Sequence, residues 1–108
     1  GEMTEKGDSS AIMAVSSHLT HKDWRVRRIA VEALADLAEW GRESAINALT
    51  TTSDDGHWAV RREAIRAFNR ISAKGNLQAI AAVSRFLSDA DTDVKNLAEQ
   101  TMIKLAEV

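Results

Sequence analysis

With 108 residues, 44% of them hydrophobic and 28% charged, the chain has the length and composition of one globular domain. Its net charge of −2 excludes a strong overall attraction to nucleic acid or to an acidic membrane surface, and the absence of cysteine excludes disulfide bonds and thiol chemistry. No apolar run reaches the roughly 18 residues of a membrane span, and the first residues lack the apolar core of a secretory signal, so we expect a cytoplasmic protein.

The same residue types return every 34 positions along the chain. Aligned columns hold one residue in all three copies: Gly7, Gly41 and Gly75; Ala11, Ala45 and Ala79; Ile12, Ile46 and Ile80; Val26, Val60 and Val94; Ala30, Ala64 and Ala98. An ungapped period of this size is the sequence signature of a stacked repeat array. We predict one domain of three repeats, at about residues 7–40, 41–74 and 75–108, with residues 1–6 continuing the register backward.

In chain order, each repeat has the pattern of two helices. Apolar residues at i, i+3 and i+7, such as Ile12, Val15 and Leu19, predict a first helix at about residues 10–19 and its copies at 44–52 and 77–87. A wider apolar face predicts second helices at about residues 24–39, 58–73 and 92–107. Neither helix can bury its stripe alone, so each hairpin must pack against the next.

The residues around the second helices match the expected helix ends. Asp23 and Asp91 immediately precede two of these helices, where a carboxylate can accept hydrogen bonds from unpaired backbone N–H groups. Gly41 and Gly75 follow two of them, and we expect both glycines to adopt the left-handed conformation that closes a helix.

The last repeat is more polar than the other two. Glu99 stands in the column that holds Val31 and Ile65, and Thr101 replaces an alanine. A polar outer face is typical of a terminal capping repeat, so we expect the array to end at or near the C terminus. At the N terminus, a true start and a cut from a longer array both remain open.

The segments 23–34 and 58–68 share one pattern. A turn is followed by Val-Arg, then by alanine three residues after the arginine, and then by an Ala-Leu or Ala-Phe pair. This pattern resembles the HEAT repeat, in particular the HEAT-like form shared with phycobilisome lyases, and residues 91–98 are a weaker third copy with Lys95 for arginine. The resemblance implies an all-α solenoid of three helical hairpins, with six helices in two layers. The tetratricopeptide repeat has a similar length, but its spaced aromatics and late proline are missing.

The resemblance also implies a structural role for the basic column of Arg27, Arg61 and Lys95. In the family this residue packs along the stack. Its partners here would be turn acids such as Asp23, Asp55 and Asp89.

The second helices carry the predicted binding surface, because the resemblance turns them toward the concave face. Three columns at i, i+4 and i+8 form what we call the ridge: Arg28, Glu32 and Asp36; Arg62, Arg66 and Arg70; Asn96, Gln100 and Lys104. Arginine recognises carboxylates through its planar fork and is enriched in binding hot spots. We therefore predict that another protein, through an acidic segment, binds at Arg28, Glu32, Arg62, Arg66, Arg70, Trp40 and Trp58. The alternative is a solvated face whose arginines and acids pair across repeats.

The tryptophans divide into two kinds. Trp24 and Trp58 share a column with Thr92, which favours packing over the turn with partial exposure. Trp40 stands in a column without other aromatics, so it is either an anchor for a partner or a cover beside Gly41.

Nothing in the sequence indicates catalysis, and we predict no enzyme, metal or cofactor site. His18 and His21 are three residues apart, but no third ligand has the required spacing. HEAT-like deoxyhypusine hydroxylases build their iron site from His-Glu dipeptides, which this chain lacks. The acidic residues from Asp89 to Asp93 lack the glycine and bidentate glutamate of a calcium loop.

Two other functions remain open beside protein binding. HEAT-like alkylpurine glycosylases bind nucleic acid through basic concave surfaces with tryptophan, although the net charge of −2 and the small array argue against this. A chromophore-lyase subunit is the second alternative, without any residue that marks a chromophore site. The ungapped spacing also leaves open a designed or consensus-derived array. Against it, columns such as that of Glu32, Arg66 and Gln100 vary more than those of a consensus design would.

Overall fold

The computed structural model describes residues 9–106, without the side chains of Ser9 and Trp40. Within that range the chain forms six α-helices and no strand. The helices are α1 (Ser9–Ser16), α2 (Trp24–Leu37), α3 (Arg42–Leu49), α4 (Trp58–Ile71), α5 (Leu77–Ser84) and α6 (Thr92–Ala106). The predicted all-α array of helical hairpins is confirmed.

Every first helix continues into a tighter 3₁₀ turn, at Ser17–Thr20, Thr50–Asp54 and Arg85–Ser88. Side-chain hydroxyls favour this tightening by donating to carbonyls three residues earlier, as Thr50 Oγ1 does to Asn47 O and Thr52 Oγ1 to Leu49 O, both at 2.6 Å. The predicted first helices are therefore each an α-helix plus a 3₁₀ turn.

The hairpins stack side by side in two layers. In one layer, α2 packs against α4 and α4 against α6. In the other layer, α1 packs against α3, and α5 packs against the 3₁₀ turn that follows α3. Between the layers lies one continuous apolar core. Its largest fully buried side chains are Phe68, Phe86, Leu34, Ile46, Leu49, Ile65, Leu105, Val31, Val60, Val83 and Val94. Stacking thus buries stripes that no hairpin could bury alone.

Asp23 and Asp91 cap the N-termini of α2 and α6, as predicted, and a third residue caps α4. Asp23 Oδ1 accepts from the backbone N–H of Arg25 at 2.9 Å, and Asp91 Oδ1 accepts from Val94 N–H at 3.1 Å. In the middle repeat His57 takes this position, and its Nδ1 accepts from Ala59 N–H at 3.1 Å. A neutral imidazole nitrogen thus replaces a carboxylate oxygen as the cap.

The prediction that Gly41 is left-handed is wrong. Its φ is −179°, an extended conformation that any residue adopts, and a Cβ there would lie 2.9 Å from Cδ1 of Ile12, so that side chain would have to shift. Gly75 does have a positive φ of 81°. It is not the residue that closes α4, however, because that helix ends at Ile71 with Ser72 as its C-cap. Gly75 N–H instead donates to Leu105 O at 2.7 Å.

Candidate functional site

Two arginine–aspartate ion pairs, Arg27–Asp55 and Arg61–Asp89, join successive repeats, and we call them the ladder. Arg27 donates from Nε and Nη2 to the two carboxylate oxygens of Asp55 at 2.8 and 3.0 Å, and Arg61 binds Asp89 in the same way at 2.7 and 3.1 Å. Lys95, the third member of the basic column, is exposed and has no ion-pair partner among residues 9–106. The structural role that the family resemblance implies is therefore present in two of the three repeats.

The ladder residues are mostly shielded from solvent, and their charges stabilise one another. Burial raises the pKa of the Asp89 carboxyl, but hydrogen bonds from Arg61 and from the Asp91 backbone N–H outweigh burial and hold that pKa below its ordinary value. The hydrogen bond that Arg27 donates to Asp55 raises the pKa of Arg27. Each of these two shifts favours the charged form of its group.

Asp23 lies outside this ladder, contrary to one of the possibilities raised by the sequence. Its carboxylate pairs with Arg25 at 3.0 Å, and the hydrogen bond from that guanidinium lowers the pKa of Asp23. The Arg25–Asp23 pair is exposed at the surface and contributes little to stability.

The histidines have structural contacts. His21 stands in the column of Asp55 and Asp89, and its Nδ1 accepts a hydrogen bond from Asp23 N–H at 3.0 Å. Asp55 and Asp89 make the same contact, because each accepts from the backbone N–H two residues later in the chain. His18 Nδ1 lies 3.2 Å from Ala14 O in its own helix. Within residues 9–106 no cluster of three or more His, Asp or Glu side chains could hold a metal ion.

Two residues of the first rung, Arg28 and Asp36, have contacts within the chain. Trp24 stacks on His57 with ring centroids 4.0 Å apart, and the Arg28 guanidinium lies 5.7 Å from the Trp24 ring centre. Nε of Arg28 is buried without a hydrogen-bond partner, so the aromatic face is the main contact of this cation. Asp36, at the other end of the rung, binds Arg70 of the second rung at 2.8 Å.

The second rung leaves two cations open. Neither the half-buried Arg62 nor the exposed Arg66 has a hydrogen-bond or ion-pair partner among the described residues. Both line a groove of about 290 Å³ between α4 and α6, whose other lining residues are Asp93, Asn96, Leu97 and Gln100. Trp58 lies one helical turn before Arg62 and is 45% exposed. The His57 ring stacks on Trp24, whereas the corresponding residue of the third repeat, Asp91, has no ring to offer Trp58.

Glu63 lies next to the ridge, and the sequence analysis did not include it in the predicted site. It is half-buried near Arg28, Arg62 and Arg66. Burial raises the pKa of Glu63, and the Glu32 carboxylate raises it further, whereas the arginines partly offset both effects. The signal was present in the sequence, because Glu63 interrupts a column that otherwise holds Ile29 and Leu97.

The structure brings together only part of the predicted site. Arg62 and Arg66 share one groove, and Trp58 precedes them on the same helix. Arg70 lines a separate groove of about 180 Å³ with its partner Asp36. The side chain of Trp40 lies outside the described part of the structure, so its two interpretations are not distinguished.

The comparisons with known proteins agree with this architecture. A model of HEAT repeats matches residues 33–103, and a single HEAT repeat model matches residues 14–41. HEAT repeats generally mediate protein–protein interactions as scaffolds and are typically not enzymes. Searches of curated proteins and of solved structures gave no match. No helix among the described residues is long and apolar enough to cross a membrane.

Proposed function

Because the chain belongs to the HEAT repeat family, we propose that it is a protein-binding scaffold whose ridge holds an acidic segment of a partner protein. One observation carries the proposal: Arg62 and Arg66 line a groove, and neither has a hydrogen-bond or ion-pair partner among the described residues. Guanidinium groups bind carboxylates through two parallel hydrogen bonds, and such charge-assisted bonds are stronger than neutral ones. An aspartate or glutamate side chain is the ligand that these two cations fit best.

The groove supplies further contacts for such a segment. The side-chain amides of Asn96 and Gln100 face the arginines across the groove and can donate to carboxylate or backbone oxygens. Trp58 adds an apolar surface at one end. Because these residues are held on packed helices, binding orders little backbone, which lowers the entropic cost of association.

The other predicted ridge residues contribute less to this site. Arg70 is already paired with Asp36, and Arg28 lies over the Trp24 ring, so a partner would have to displace existing contacts. Glu32 is exposed next to Arg28 and repels acidic ligands, which sets an edge to the binding region. We therefore expect the contact to be centred on the second rung.

The test uses a fluorescein-labelled peptide of alternating Asp and Gly, followed by fluorescence anisotropy. The double variant Arg62→Glu and Arg66→Glu should weaken binding by at least about tenfold, since a hydrogen bond to a charged group contributes about 1.5–3 kcal/mol. The matched control reverses two exposed arginines of the other layer, Arg42→Glu and Arg85→Glu, and should leave affinity within about twofold. Equal weakening by the two double variants would refute the ridge as the site.

Nucleic-acid binding is the competing outcome of the same experiment. Labelled duplex DNA at low salt would then bind, and the logarithm of its affinity would fall against log salt with a slope of about −0.9 per phosphate contact. We expect no such binding, because two open arginines on a chain of net charge −2 are too few for a run of phosphates, whereas they suffice for a single carboxylate.

A further inference from the structure

Three aromatic side chains form a continuous row at the start of the second helices, which we call the aromatic row: Trp24, His57 and Trp58. The ring centroids of Trp24 and His57 lie 4.0 Å apart with an angle of 12° between the planes, and those of His57 and Trp58 lie 5.8 Å apart at 28°. Trp24, at one end of the row, is half-buried, whereas Trp58, at the other end, is 45% exposed. The row therefore ends on a ring that a ligand can reach.

The first repeat shows what covers a tryptophan in this column. His57, immediately before the second helix of the following repeat, lays its ring nearly parallel on Trp24. The residue in the same position one repeat later is Asp91, whose carboxylate caps α6 and which has no ring to lay on Trp58. Stacked aromatic pairs are favourable beyond the apolar area that they bury. An aromatic side chain of a partner therefore fits the exposed side of Trp58.

The charges along α4 place the acidic part of a ligand beyond the tryptophan. Trp58, Arg62 and Arg66 follow one another at i, i+4 and i+8 on one face of α4. Asp93 lines the same groove as the two arginines, and the repeat register places it level with Ala59 in the first turn of α4. A carboxylate of the partner is therefore repelled at the tryptophan end of the groove and attracted towards the arginines.

Helix geometry sets the spacing between these three contacts. Four residues of an α-helix rise about 6 Å along the axis, and two residues of an extended chain span about 6.6 Å. Every second side chain of an extended segment points to the same face, so a segment lying along α4 can place successive ones at Trp58, Arg62 and Arg66. Across the groove, the amides of Asn96 and Gln100 have the same spacing and can donate to its backbone carbonyls.

Given that the ridge holds an acidic segment, as proposed above, we propose further that this segment carries an aromatic residue two positions from the nearer of two alternate acidic residues. The aromatic ring stacks on Trp58, and the two carboxylates bind Arg62 and Arg66. The partner thus extends the aromatic row by one ring, as His57 extends it from Trp24. This contact gives specificity, because the arginines alone do not distinguish one acidic segment from another.

Three fluorescein-labelled peptides test this motif by fluorescence anisotropy on the whole chain. The first contains only Asp-Gly-Asp within a glycine chain, the second has phenylalanine two positions before the first acid, and the third has leucine in that position. A mirrored pair, with the apolar residue two positions after the second acid, covers the opposite chain direction. In one direction, phenylalanine should tighten binding roughly fivefold over the acid-only peptide, and leucine should give less than half of that gain.

Variants at the end of the aromatic row locate the effect. Trp58→Ala should remove the gain from phenylalanine and leave the affinity for the acid-only peptide within about twofold, whereas Trp58→Phe should keep most of the gain. The matched control is Leu77→Ala, an exposed apolar side chain of the other layer, which should leave the gain unchanged.

Asp91→His is the sharpest variant, because it adds the ring that the third repeat lacks. Nδ1 of the new imidazole can cap α6 as Nδ1 of His57 caps α4, and the ring can cover Trp58 as His57 covers Trp24. The gain from phenylalanine should then disappear, because the chain itself occupies the position of the partner's ring. Circular dichroism checks that each variant stays helical, and the comparison of peptides on the wild type decides even if Trp58→Ala unfolds.

The outcomes separate this motif from the acidic-segment proposal on which it rests. Equal gains from phenylalanine and leucine, a gain that survives in Trp58→Ala, or no gain in either direction overturns the motif. The acidic-segment proposal still stands in those cases if Arg62→Glu with Arg66→Glu weakens binding of the acid-only peptide. If no peptide binds, or if that double variant has no effect, the ridge is not the site and the motif is wrong with it.

Discussion

Repeats 1 and 2 share their columns and their backbone, yet the charges on their ridges are arranged differently. In repeat 1, Trp24 is stacked and Arg28 lies over its ring. In repeat 2, Trp58 is partly exposed, and Arg62 has no partner within residues 9–106. Below the ridge, the two repeats have the same arginine–aspartate ladder.

The comparison separates two kinds of column. Columns that hold the stack together, such as that of Ala64 and Ala98, keep their residue type because a neighbouring helix fixes the space. Columns on the ridge face solvent, so their residues can change without loss of the fold. The open cations of repeat 2 are therefore available for binding.

The largest expected effect tests the shared ladder. Asp55→Ala and Asp89→Ala should each destabilise the fold by about 3–5 kcal/mol, because each leaves an arginine shielded from solvent without its carboxylate. Urea denaturation at neutral pH measures both. Clearly unequal losses would mean that the two junctions are not equivalent.

The ladder also predicts a dependence on pH. Since the pKa of Asp89 is lowered from 3.8 in the fold, its contribution is complete above about that pH and is lost as the pH falls through the folded value. The wild type should therefore lose stability in acid, and Asp89→Ala should lose less over the same range.

A smaller effect tests the difference between a covered and an uncovered copy of one column. Ala64→Leu should destabilise by about 1–3 kcal/mol, because Ala64 is fully buried between hairpins. Ala30→Leu should cost less, since the added atoms can enter the open groove of about 240 Å³ that Ala30 lines between α1 and α2. Thermal unfolding compares the two, and an equal loss would show that this groove cannot accept a side chain.

The stack of His57 on Trp24 gives the next prediction. His57→Ala should lower the free energy of unfolding by about 1–2 kcal/mol, because it removes both the cap of α4 and the ring on Trp24. His57→Asp restores the cap alone, as Asp23 and Asp91 do in their repeats. It should therefore lose less stability than His57→Ala, while both change the near-ultraviolet circular dichroism of Trp24. Equal losses would mean that the cap contributes nothing.

The smallest expected effect concerns Glu63 between the two rungs. Because the fold raises the pKa of this acid, its carboxylate destabilises the fold as the pH rises through that folded value. Glu63→Gln should leave stability at neutral pH unchanged or higher by up to about 0.5 kcal/mol. It should also tighten binding of the acidic peptide, because a negative charge leaves the ridge. Weaker peptide binding would contradict this arrangement.

The sequence alone determined the architecture, because a 34-residue period with apolar columns permits few structures other than stacked helical hairpins. It identified the N-caps Asp23 and Asp91 and the ridge columns, since both follow from local spacing. It misassigned Gly41, which has an extended backbone and is approached closely by the Ile12 side chain from a different helix. Local spacing carries no information about such a contact.

Only the tertiary structure decided which charges are paired. Arg62 and Arg70 occupy equivalent faces of one helix, yet Arg70 meets Asp36 while Arg62 borders an open groove. That difference depends on which residue of the neighbouring repeat lies opposite each cation, at distances of a few ångströms. The helical period fixes which face a side chain is on, but only the packing of helix against helix fixes the partner it meets there.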